Sequence, residues 1–225
     1  MLTKRLTLCE KGHRNEQLDR FFHFSTRTHT VSVLIDGFSQ CHASPHYVDY
    51  LGEQLMAIHY TQLDSDGICN AIEQILNTNC GYPGKASIAI IVSDEKNYRY
   101  LSLGDTRIYW PTARKRTQDH TLAQRCVEQG KARADILRTH PLRNRVTQFV
   151  SKETEHAFCY HTNKCIPGEP IFMCTDGFWS EFDDEILYTF RSEEALCHAF
   201  EQISSSETGE SDNVSVVMLT DYSAE

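Results

Sequence analysis

VSVLIDG, residues 31–37, is an apolar run of β-branched and aliphatic side chains, interrupted by Ser32, that ends in Asp36 beside Gly37. The run reads as a buried strand. A carboxylate at its end loses solvation, which costs several kcal/mol unless a cation meets it. The setting recurs in YLSLGD (100–105) and IFMCTDG (171–177), which place Asp105 and Asp176 in the same way. In SDNVSVVML (211–219) the order reverses, with Asp212 just ahead of the apolar run. Four such strand ends converging would make a nest for hard cations. Oxygen donors with few other ligand types suit Mg²⁺ or Mn²⁺ better than zinc. Any single Asp-Gly is also a common turn dipeptide. Here, however, Asp36 leads into the polar FSQCHASP and Asp176 into FWSEFDDEIL, and neither supplies the second strand of a tight hairpin.

Outward from these motifs, strand composition marks 31–35, 87–93, 98–103, 108–110, 156–160, 171–174 and 214–219. The polar turn at 93–97 predicts a hairpin between two of them. Helical spacing appears in Tyr47, Leu51, Leu55 and Ile58, in Ile68, Ile72 and Ile75, and in Leu196, Phe200 and Ile203. Ser192 followed by Glu193 and Glu194 is a capped, dipole-matched helix start. The order lacks the regular β-α alternation of a doubly wound parallel sheet. It predicts an α+β fold, a four-layer α-β-β-α sandwich with two central antiparallel sheets flanked by helix pairs.

The 225 residues suffice for one domain with a full core, and no linker divides 1–225. Net charge is −9, with 22 Lys and Arg against 31 Asp and Glu, and no long basic cluster is present. That balance argues against a nucleic-acid partner. No apolar run approaches a membrane span and the N-terminus has no extended apolar core, so a soluble cytoplasmic protein is expected. Nine scattered Cys without a CxxC pair point to reduced thiols rather than a zinc or redox site. His42 and His46, one helical turn apart, fall in what reads as a Pro-interrupted loop, more a loop feature than a ligand pair.

Read in order, RNEQLDRFF (14–22), VLIDGFSQ (33–40), GKAS (84–87), YLSLGDTRIYW (100–110), QDHT (118–121), HPLRNRVTQF (140–149), FMCTDGFWSEF (172–182) and SDNVSVV (211–217) resemble the motif series of the PPM-type metal-dependent serine/threonine phosphatases, the protein phosphatase 2C family. The resemblance runs nearly end to end and implies a bacterial-type minimal catalytic domain. It implies a binuclear Mn²⁺ or Mg²⁺ centre in which Asp36 bridges two ions, the Gly37 carbonyl binds the first, and Asp176 and Asp212 bind the second. Asp105 would serve a third, weaker site. Asp19 would hydrogen-bond metal-bound water and Arg14 would bind the phosphoryl group. The implied activity is hydrolysis of phosphoserine and phosphothreonine on proteins by a metal-activated water, opposing a Ser/Thr kinase. From the residues alone, Arg14 would instead form a surface ion pair with Glu16 or Asp19.

The series also has departures. Leu18 stands where many relatives carry Glu or Gln, and Phe38, Ser39 and Gln40 replace a His or Met followed by a Gly pair. Phe38 cannot donate a proton, and Ser and Gln lack the backbone freedom of Gly. They motivate the alternative of a catalytically weak relative that binds phosphoproteins. A third possibility is a metal-stabilised structural protein. Residues 122–149, corresponding to the family's variable flap, carry Arg125, Lys131, Arg133, Arg138, Arg143 and Arg145; this is either a solvated charged face or a surface that recruits acidic substrate segments.

Overall fold

The computed structural model describes residues 1–39, 45–153, 157–205 and 211–221. From the N-terminus come β1 (Leu2–Glu10), β2 (Asp19–Ser25), β3 (Thr30–Gly37), α1 (Pro45–Met56), α2 (Ser65–Leu76), β4 (Lys85–Ser93), β5 (Asn97–Leu103), β6 (Arg107–Trp110) and β7 (Lys115–Arg116). There follow α3 (Leu122–Glu128), β8 (Val150–Ser151), β9 (His161–Lys164), β10 (Pro170–Cys174), α4 (Asp176–Trp179), α5 (Asp184–Leu187), α6 (Glu193–Ser204) and β11 (Val214–Asp221). One sheet runs β1-β11-β10-β6-β7; the other runs β2-β3-β4-β5-β9, with β8 on the start of β4. Pairings between named strands are antiparallel.

Three apolar cores separate the four layers, and the period-2 alternation of strands assigns residues to them. Val31, Val33 and Ile35 of β3 face α1 and α2, as do Ile88, Ile90 and Val92 of β4. Leu34, Ala89 and Ile91 turn the other way and meet Ile171, Met173, Val217 and Leu219 between the sheets. Phe172, Cys174, Val216 and Met218 return to the outside under α6, against Leu196, Ala199 and Ile203. These strands are buried on both faces, which is why they read as continuous apolar runs. The α+β sandwich expected from the sequence is the fold observed.

Side-chain caps open α2 and α6. Asp64 caps α2 by accepting the Gly67 N–H at 2.8 Å, and Ser192 caps α6 by accepting the Ala195 N–H at 3.2 Å. The hairpin at 93–97 forms around Asp94, whose Oδ1 accepts the N–H groups of Lys96 and Asn97, each at 2.8 Å. Two expectations are corrected. Residues 157–160 form no strand; the ladder begins at His161, while Phe158 and Tyr160 pack on the helix-side core, so their apolar character reflects anchoring rather than pairing. Residue 156, like His42 and Gln40, lies outside the described residues. His46 is in the first turn of α1, not in a loop. No helix among the described residues is long and apolar enough to cross a membrane.

Candidate metal and phosphate site

Antiparallel order brings the end of β3, the starts of β2 and β4, the β5–β6 turn, the end of β10 and the start of β11 to one end of the sandwich. Asp36 pairs across β2–β3 with Asp19 and across β3–β4 with Ser87. Asp105 sits in the turn by which the chain leaves one sheet for the other. Its predecessor Gly104 has φ +96°, and an added Cβ would stand 2.1 Å from Ser87 Oγ, so both the backbone and the packing require glycine there. Asp176 opens α4 directly after β10. Gly177 beside it lets α4 approach β11, since a Cβ would lie 2.1 Å from the Asn213 carbonyl oxygen.

Arg14, Asp36, Gly37, Asp105, Asp176 and Asp212 all line one cavity of about 410 Å³, together with Phe38, Lys85, Leu122, Arg145, Val146 and Phe149. Asp19 lies behind that wall, 2% exposed, its Oδ2 accepting the Thr175 hydroxyl at 3.0 Å while Oδ1 has no partner. Ser87 donates to Asp105 Oδ1 at 2.7 Å. Asn213 ties the Arg14 loop to β11: its Oδ1 accepts the Leu18 N–H at 2.8 Å, and its Nδ2 donates to the Lys11 and Glu16 carbonyls at 2.8 and 3.0 Å.

The electrostatics are those of uncompensated carboxylates. Burial, followed by the charges of Asp19, Asp176, Asp105 and Asp212, pushes Asp36 well above the usual carboxylate range. Burial likewise raises Asp176, with Asp105 and Asp212 adding to it and Arg143 opposing it. It raises Asp19 to about 7 against its hydroxyl hydrogen bonds, and Asp105 to about 6 against its bond from Ser87. Part of Asp36 and of Asp176 still opens onto the cavity, so the donors are reachable.

Two arginines partly answer this charge. Arg14 grips Asp212 bidentately, Nε to Oδ1 at 2.7 Å and Nη2 to Oδ2 at 2.6 Å, so its partner is neither Glu16 nor Asp19. Arg143 brings Nη1 to 3.6 Å from Asp176 Oδ2, and that nitrogen is buried with no hydrogen bond. Among the described residues, no three His, Cys, Asp or Glu side chains close around a single point. The expected ligands thus share a cavity wall without forming a finished cage. An all-oxygen donor set, the orphaned Asp19 oxygen behind it and the carboxylates raised by burial and by neighbouring acids together fit hard divalent cations.

Sequence reasoning passed over the supports. Arg107 is buried under Trp179, with its guanidinium 3.4 Å from the ring centre, and donates to Asp119 at 2.7 and 2.6 Å and to Tyr109 Oη at 2.8 Å. Trp179 in turn donates its indole N–H to the Asp105 carbonyl at 2.8 Å, which fixes the turn that carries this carboxylate. The signal was present in part: Arg107 and Asp119 lie within two of the quoted motifs, and Arg107 is a charged residue ahead of the apolar Ile108-Tyr109-Trp110.

No family model and no curated protein match the chain. Solved structures do. The Mycobacterium tuberculosis serine/threonine phosphatase PstP/Ppp aligns with TM-score 0.76 at 18% identity, over 97% of this chain and 98% of its own. Stp1 of Staphylococcus aureus, also a serine/threonine phosphatase, gives 0.76 at 19%, over 99% and 96%. This chain has the fold of the PPM-type bacterial Ser/Thr phosphatases. The catalytic domain of PstP in complex with two manganese ions aligns at 0.74 and 16%, over 98% and 100%.

Proposed function

We propose that the chain is a metal-dependent phosphatase that hydrolyses phosphoserine and phosphothreonine on proteins, in the cytoplasm and opposite a Ser/Thr kinase. The observation that carries this is the convergence of Arg14, Asp36, Gly37, Asp105, Asp176 and Asp212 on one cavity, over a carboxylate oxygen of Asp19 with no partner. Asp36, the Gly37 carbonyl, Asp176 and Asp212 would hold two Mn²⁺ or Mg²⁺ ions and Asp105 a third. Such ions, when bound, acidify water and offset charge on phosphoryl oxygens. The manganese complex of PstP supports the metal assignment.

The chain's own contribution is placement. Ser87 of β4 holds Asp105, and Thr175, between β10 and α4, holds Asp19 by hydrogen bonds, so these carboxylates are oriented before any ligand arrives. The Arg14 fork, now on Asp212, has the planar geometry that matches two phosphoryl oxygens. Lys85 and Arg145 add positive charge to the same wall and would draw a phosphorylated segment in.

The Arg14–Asp212 pair also favours a second reading, a catalytically weak module that binds phosphoproteins, because a guanidinium on Asp212 competes with an ion there. Hydrolysis of para-nitrophenyl phosphate and of a phosphothreonine peptide, with Mn²⁺, Mg²⁺ or chelator, tests the choice. Metal-dependent turnover that Asp176→Asn abolishes supports the phosphatase; metal binding without turnover under every condition supports the module.

A further inference from the structure

The cavity has a second wall that the metal reading does not use. Phe38 follows Gly37 directly, and its N–H donates to the Lys85 carbonyl at 2.9 Å, which pins the backbone at the mouth of the carboxylate cradle. Its ring meets Phe149 at 5.6 Å and 63°, an edge-on aromatic pair. Phe149 sits immediately before β8, and Val150 in β8 pairs with Ala86, so both rings ride on strand ends rather than on free loops. Lys85 Nζ lies over the Phe149 ring at 4.7 Å and holds it from one side. Both rings are half-buried, and Leu122 and Val146 extend the apolar surface beside them. Aromatic area of this size, next to Arg14, Lys85 and Arg145, combines a flat apolar face with cationic groups that suit a phosphate.

We propose that the Phe38–Phe149 pair is a platform for the ring of an aryl phosphate monoester, phosphotyrosine in a protein chain being its biological form, so that the site takes aryl esters in addition to the alkyl esters phosphoserine and phosphothreonine. The inference rests on the phosphoester reading of the same cavity. The chemistry agrees with a ring at this place. In hydrolysis a bond forms from water oxygen to phosphorus, the bond from phosphorus to the aryl oxygen breaks, and the phenoxide takes a proton from solvent to leave as a phenol beside inorganic phosphate. A phenol has a pKa of about 10. An aliphatic alkoxide is nearly as basic as hydroxide, whose parent water has a pKa of about 15.7, so it gains far more from a donated proton. Phe38 brings a ring and no proton, which suits the first leaving group better than the second.

The test compares phenylphosphonate with methylphosphonate, which share the phosphoryl head, as ligands of the full chain with Mg²⁺, by calorimetry or by line shifts in NMR. Wild-type protein is expected to favour the phenyl compound, and Phe38→Ala to cut that preference by about two- to twelvefold, the range of one aromatic contact. Phe149→Leu, which keeps most of the volume, is expected to move it in the same direction, so the outcome survives if one variant fails to fold. A parallel assay follows the ratio of kcat/KM on phosphotyrosine and phosphothreonine peptides, which should fall by a similar factor in Phe38→Ala. No phenyl preference in the wild type, or a preference that both variants leave intact, overturns the platform. Turnover of the peptides with an unchanged ratio overturns the platform and leaves the phosphatase standing. A phenyl preference that tracks Phe38 without turnover of either peptide keeps the platform and removes the phosphatase.

Discussion

Replacing Arg107 by Met removes the cation from beneath Trp179 and leaves Asp119 behind. The side chains of Arg107 and Asp119 are 3% and 2% exposed, and their two-point contact at 2.7 and 2.6 Å satisfies both groups. After the substitution Asp119 keeps, among the described residues, the Arg116 ion pair, with Nη1 at 3.7 Å, and Tyr109 loses its hydrogen bond from Arg107 while still donating to Asp184 at 2.9 Å. Truncating one partner of a buried pair costs about 3–5 kcal/mol, because the other charge stays desolvated. Against a total stability of about 5–15 kcal/mol, that is a large fraction. With a urea slope of about 3 kcal/mol/M, the midpoint should fall by about 1–1.7 M. The double variant Arg107→Met/Asp119→Leu removes the stranded charge as well and should recover most of the loss. Urea unfolding followed by Trp fluorescence and circular dichroism measures all three proteins. A single-variant cost under about 1 kcal/mol, or a double variant no better than the single, would refute the view that a desolvated charge pair braces the Asp105 turn.

Other outcomes follow from the same geometry. Arg14→Ala frees Asp212 from a half-exposed ion pair of the kind worth about 0.2–1 kcal/mol, so calorimetric Mn²⁺ affinity should rise by up to about fivefold; weaker binding would show that Arg14 assists the ion instead of competing with it. Asp19 and Asp105 have folded pKa values raised to about 7 and about 6 from an ordinary 3.8, so the folded state disfavours their ionisation. The unfolded chain then releases protons first, and chelated protein should lose stability as pH rises from about 4 to 7, by up to about 1.4 kcal/mol per pH unit for each group. Melting scans at pH 5 and 7.5, with and without Mg²⁺, check this, and chelated protein equally stable at both values would count against it. Gly104→Ala forces a side chain into φ +96° and onto Ser87, at a cost of about 1–3 kcal/mol from the backbone alone, read from the urea midpoint.

Legibility in the sequence followed burial. The strands β3, β4, β10 and β11 were readable because both their faces are covered, so nearly every position is apolar. β1, with the sequence LTKRLTLCE, and β2, with DRFFHFS, sit at sheet edges and mix charged and polar positions with apolar ones, which hid the first beneath a polar N-terminus and the second inside a motif. The aspartates were legible for the opposite reason, since each interrupts or abuts an apolar run. What supports them was not, because Thr175, Ser87 and Asn213 act through hydrogen bonds between elements distant in sequence: Asp19 and its donor Thr175 are 156 residues apart.

Arg14 shows where motif order and local physics each fall short. Its nearest acids in sequence, Glu16 and Asp19, lose to Asp212 because Asn213 pulls the 11–18 segment onto the start of β11, so topology rather than proximity selects the partner. Asp19, which proximity would have given to Arg14, is turned inward by its pairing with Asp36, and the carbonyl of Asp19, not its carboxylate, accepts from Arg20 at 2.9 Å. Two buried carboxylates placed opposite each other on adjacent strands cost stability in any chain that has no use for them, since burial raises both, the charge of Asp19 raises Asp36 further and that of Asp212 raises Asp19. A bare scaffold would be stabilised by replacing either with an apolar residue. The pair sits at the end of the sandwich where Asp105, Asp176 and Asp212 also gather, and the cost of holding these carboxylates together is the physical argument that favours the proposed cation site at this end.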